Sequence, residues 1–110
     1  MTAPDTGIKA LHPDNRISAL RNAIDEIDNR LLVLINNRLK LAAEIGTLKK
    51  VAGNPVKDLE REKRILSRLR NANKGPIDNG LLRRVFADII RASCYLQNST
   101  HLKPESDCHD

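Results

Sequence analysis

The chain has almost no aromatic residues: its 110 residues include one Phe, one Tyr and no Trp. Phe86 and Tyr95 cannot form the platform of rings on which single-stranded nucleic acid stacks. Zinc-finger spacing and a compact helix-turn-helix pattern are missing as well. Nucleic acid is therefore not the expected partner, although the net charge of +5 suits an anion of some kind. No run of eighteen apolar residues occurs, so no membrane span is expected. Two cysteines, Cys94 and Cys108, do not make a disulfide framework. Neither stands in a metal-ligand spacing with a His, and His101 and His109 read as solvated tail residues. No metal and no cofactor are expected. The opening "MTAPDTGIKALHPDN" is polar and broken by prolines, unlike a secretory leader, which makes the cytoplasm the expected compartment.

Alternating apolar and polar runs of the kind strands need are also missing, and there is no internal repeat. What the chain has is helical periodicity divided by turn signals: "HPDN" opens one segment, "AGNP" closes it, "NKGP" closes the next and "KPES" follows the third. The length suits one domain. We read it as all-α, with a disordered arm over residues 1–14, a helical domain over 15–100 and a disordered tail over 101–110. The first helix is expected from Asn15 to Ala52, the second from Leu59 to Asn73 with Asp58 as N-cap. The third starts after Asp78 and carries Leu82, Phe86, Ile89, Ile90 and Leu96.

The first helix carries an unbroken stripe: Ile17, Leu20, Ile24, Ile27, Leu31, Leu34, Arg38, Leu41, Ile45, Leu48, Ala52. Its steps alternate three and four, a coiled-coil heptad. At 1.5 Å per residue such a helix spans roughly 55 Å. A compact chain of this size has a radius of gyration of only about 13 Å. Two shorter helices cannot cover the whole stripe, and a second copy of the chain can. An intertwined homodimer follows. The alternative is a break at Gly46, which is disfavoured because the stripe continues past it.

Five polar side chains interrupt these apolar faces. Glu62 stands among Leu59, Leu66 and Leu69. Arg38 occupies a core heptad position, and Lys49, eleven residues on, projects from nearly the same face roughly 16 Å away. Ser93 and Gln97 continue the line of Phe86 and Ile90. Singly, each has a structural explanation: an Arg that sets register, a Glu that pairs with it, a Lys that reaches water, a Ser bonded to its own backbone. Together they would make a half-satisfied polar core, which is worse than an apolar one. Arg21 and Arg61 lie beside the stripes and add to the cations, with Glu62 and Asp58 as the answering carboxylates. The imbalance calls for a compact anion with more than one negative charge, and Arg forks suit carboxylates. Arg21, seventeen residues before Arg38, cannot share a pocket with it on one helix; across an antiparallel dimer it can reach the partner's pocket.

These residues resemble the all-helical class of chorismate mutases. The resemblance runs from "ISALRNAIDEID" through "LINNRLKLAAEIGTLKK" and "NPVKDLEREKRIL" to "FADIIRASCYLQ". It implies an intertwined three-helix homodimer with two pockets, converting chorismate to prephenate on the route to Phe and Tyr. It implies that Arg38 holds one substrate carboxylate and that Arg21 from the other subunit helps to hold the second. Lys49 would contact a carboxylate and the ether oxygen of the breaking bond, and Gln97 would donate to that oxygen. Glu62 would accept from the ring hydroxyl with the Asp58 backbone beside it, Ser93 would touch a carboxylate, and Arg61 would order the site. The reaction is a unimolecular pericyclic rearrangement. That accords with a sequence in which no nucleophile or poised His was found.

Two other readings compete. An isochorismate-pyruvate lyase resembles this family in fold, but its substrate carries the ring hydroxyl on another carbon, where Glu62 is less useful. A basic dimeric helical interaction module is the alternative outside enzymology. Thirteen residues follow Gln97, so no fused pathway enzyme is expected on this chain.

Overall fold

The computed structural model describes residues 12–55 and 57–97. Within them the chain forms three helices: α1 Pro13–Ala52, α2 Leu59–Ala72 and α3 Asn79–Gln97. No strand occurs among the described residues, and none of the helices is long and apolar enough to cross a membrane. The all-α expectation holds. The expected tail and residues 1–11 of the expected arm lie outside the described residues, whereas Pro13 and Asp14, assigned to the arm, are already helical. The helix passes through Gly46 without a break.

Each helix end has an identifiable cause. Beyond Ala52, Gly53 takes φ +78°, a conformation that L side chains resist. Its N–H donates to the Lys50 carbonyl at 3.1 Å, and the Asn54 N–H donates to the Lys49 carbonyl at 2.8 Å. This pair of bonds is the Schellman arrangement, and it stops α1 within one turn of Lys49. Asp58 caps α2 as expected, its Oδ1 accepting from the Arg61 N–H at 3.0 Å. Asn73 organises the next turn: its Nδ2 donates to the Ile77 carbonyl and to Asn79 Oδ1, both at 2.8 Å. The Asp78 carboxylate then accepts from the Leu81 N–H at 2.8 Å and opens α3.

The chain divides into two compact units, residues up to Ile35 and residues from Asn36 onward. In the first, the apolar stripe is open to solvent: Ile17, Leu20, Ile24, Ile27 and Leu31 all stand about half exposed. In the second, the C-terminal part of α1 packs with α2 and α3. The buried residues there are Ala42 and Gly46 of α1, Ile65 of α2, and Ile90, Ser93 and Cys94 of α3. Even so, Leu41, Ile45 and Leu48 remain at least half or nearly half exposed, Leu48 at 66%. In a single chain the stripe is thus uncovered in both units.

Candidate active site

The small core of the second unit borders a cavity of about 410 Å³, within the range of small-molecule sites. Arg38, Lys49, Asp58, Arg61, Glu62, Ser93 and Gln97 all line it. These are seven of the eight site residues expected from the sequence. The eighth, Arg21, lies in the first unit, is exposed, and is not among the lining residues. Apolar walls come from Leu41, Ala42, Ile45, Ile65 and Ile90.

The helices deliver these groups through defined contacts. Ser93 is buried in α3, and its Oγ accepts from Arg38 Nη1 at 2.7 Å while donating to the Ile89 carbonyl at 3.0 Å. The hydroxyl both satisfies a helix carbonyl and aims the guanidinium. Burial lowers the Arg38 pKa, and the positive charges of Arg61 and then Arg68 push it the same way. An arginine stays protonated at any working pH, so the outcome is a desolvated cation among other cations. An anion placed against it would relieve that cost.

Gln97, the last described residue of α3, donates from Nε2 to the Ala42 carbonyl of α1 at 2.9 Å. Glu62 carries a contact that the sequence did not suggest: Cys94 Sγ donates to its Oε2 at 3.9 Å. Cys94 is four residues after Ile90, on the same face of α3, and that spacing was the signal that could have placed it in the pocket. Arg68 was also missed. It lies seven residues after Arg61, hence on the same face of α2, and its charge acts on Arg38.

Among the described residues no group of three or more His, Cys, Asp and Glu side chains is placed to hold a metal ion. What the arrangement offers is three cationic side chains, an amide, a hydroxyl and two carboxylates around an apolar-walled space. It can grip a small polyanion, desolvate it, and set fixed donors against an oxygen on which charge develops.

Fold and cavity together define an all-helical protein with a cationic small-molecule pocket. Residues 20–98 match the family model described as chorismate mutase type II, and the chain belongs to that family. It is 36% identical over 83 residues to the chorismate mutase of Methanocaldococcus jannaschii, covering 74% of this chain and 84% of that protein. It is 36% identical over 87 residues to the bifunctional chorismate mutase/prephenate dehydratase of Escherichia coli (strain K12), covering 78% of this chain. The chain spans about a fifth, 22%, of the length of that bifunctional relative. Among solved structures, chorismate mutase (form II) from Thermus thermophilus superposes with a TM-score of 0.74 at 36% identity. That superposition covers 76% of this chain and 94% of the other.

Proposed function

We propose that this chain is a chorismate mutase, an isomerase that rearranges chorismate to prephenate in aromatic amino-acid biosynthesis, acting as a homodimer in the cytoplasm. One observation carries the reading: Arg38, desolvated and aimed by Ser93 into a cavity that Lys49, Arg61, Glu62 and Gln97 also line. Chorismate is a small dicarboxylate with a ring hydroxyl and an enol ether, and each feature finds a counterpart there. Arg38 with Ser93 takes one carboxylate. Lys49 and Gln97 donate to the ether oxygen, Glu62 accepts from the ring hydroxyl beside the Asp58 backbone, and Arg61 orders the site.

The C–O bond breaks as the C–C bond forms within one molecule, so no group on the protein needs to be attacked or protonated. Catalysis then consists of holding a folded conformer and stabilising the oxygen as negative charge grows on it. A single well-placed donor to such an oxygen contributes about 3 kcal/mol. Lys49 and Gln97 are the two donors assigned that task.

The dimer is supported by the heptad stripe, whose apolar residues from Ile17 to Leu48 a single chain leaves exposed. In it, Arg21 of one subunit completes the cationic set of the other subunit's pocket. The test is direct: purified, folded chain added to chorismate should deplete its absorbance in proportion to enzyme. Folded protein that leaves the absorbance unchanged rules the proposal out.

A further inference from the structure

Gly46 is an expensive residue where it stands. A glycine inside a helix costs about 1 kcal/mol relative to alanine, and Gly46 lies within α1, six residues before its end. It is nevertheless buried. The reason is contact with α3: a Cβ at this position would lie 2.8 Å from both Cβ and Cγ of Gln97, and 3.0 Å from its Cα. Non-bonded carbons settle at about 3.5–4.0 Å, so the two helices cannot keep this spacing around any side chain. The Cα belongs to the backbone, and a rotamer change at Gln97 would not clear it.

The same patch of α1 makes the polar contact. Ala42 lies one turn before Gly46, and its carbonyl accepts the Gln97 amide at 2.9 Å. A bare backbone at residue 46 and a carbonyl at residue 42 therefore fix where this side chain sits.

We propose that Gly46 is a positioning residue for catalysis: by leaving no side chain against α3 it sets the height of Gln97 and hence of its donor in the pocket. This rests on the reading of Gln97 as a donor to the ether oxygen. Arg38 and Lys49 belong to α1 itself, and the atoms nearest an added methyl all belong to Gln97. Substitution should thus affect the rate of the bound substrate and spare its binding. A methyl group requires Gln97 to retreat by about 1 Å, and a misplacement of that size costs about a hundredfold in rate.

The experiment compares Gly46→Ala, Gln97→Ala and the double variant as intact, folded chains, with kcat and KM for chorismate and thermal midpoints. Gln97→Ala tests the underlying reading: full activity there removes Gln97 from the chemistry and this proposal with it. If Gln97→Ala is impaired, Gly46→Ala should lower kcat about a hundredfold with KM within about threefold of wild type. It should also add little to the loss already present in Gln97→Ala. Wild-type kcat in Gly46→Ala, a loss confined to KM, or a loss that multiplies fully with that of Gln97→Ala overturns the proposal. Should Gly46→Ala fail to fold, Gly46→Ala/Gln97→Gly decides. Recovery of folding assigns the penalty to the Gln97 side chain, and continued failure assigns it to the approach of the two backbones, a purely structural role, and overturns the proposal.

Discussion

Arg38 Nη1 meets Ser93 Oγ at 2.7 Å, joining residues fifty-five positions apart on two helices. Arg38 is expected to contribute little to holding the fold. Its guanidinium is desolvated and stands near Arg61 and Arg68, both of which oppose its charge. A lowered basic pKa means that the fold disfavours the protonated form, and this disadvantage is present at every pH below the folded value, neutrality included. Arg38→Met should leave the thermal midpoint unchanged or higher, because Ser93 still donates to the Ile89 carbonyl. Activity should fall at least about a hundredfold. Calorimetry and a turnover assay on one preparation check both halves. A marked loss of stability would show Arg38 to be a structural residue.

Glu62 lines the cavity and accepts from the Cys94 thiol. Glu62→Gln keeps the shape and an acceptor, so it should retain more turnover than Glu62→Ala. Both variants should stay folded, with turnover reduced about tenfold or more for Ala, the loss of one hydrogen bond to a charged group. Unchanged turnover with a large fall in thermal midpoint would identify a structural ion pair.

Gln97→Glu places a carboxylate where the proposed reaction develops negative charge. Ionised, it repels that charge and loses its donor; protonated, it regains an O–H of similar shape. Activity should therefore be low at neutral pH and recover as pH falls, opposite to simple acid inactivation. A pH profile of kcat beside wild type reads this. Wild-type activity at neutral pH would remove Gln97 from the role.

Arg21 stands in the first unit, and the proposal gives it to the other subunit's pocket. Arg21→Ala and Arg38→Ala homodimers should each be nearly inactive. Refolded together, they form heterodimers in which one pocket is intact and the other lacks both arginines, and activity should return to part of the wild-type level. If heterodimers form and no activity returns, Arg21 does not act across subunits.

Much of this site was legible because its residues break local rules. Glu62 among leucines, Arg38 at a heptad core position and Ser93 with Gln97 on an apolar face are conspicuous without any knowledge of packing. The helix ends were legible too, since Gly53, Asp58 and Asp78 act within a few residues of themselves. What escaped depends on distances between helices. Nothing in periodicity places the Ala42 carbonyl against Gln97, brings Gly46 within reach of α3, or sets the Cys94 thiol beside Glu62. From sequence alone Gly46 raised only the disfavoured alternative of a helix break, and its close approach to Gln97 is visible only from the packing of α3.

The most direct test of the central claim compares chorismate with isochorismate as substrates for the same folded preparation. Chorismate consumption is followed by absorbance, and released pyruvate is followed by a coupled assay. The account predicts that chorismate is consumed without pyruvate release and that kcat/KM for isochorismate is lower by about a hundredfold or more, since Glu62 is set for the hydroxyl of chorismate. Pyruvate released from isochorismate faster than chorismate is rearranged, or no turnover of either, would contradict it.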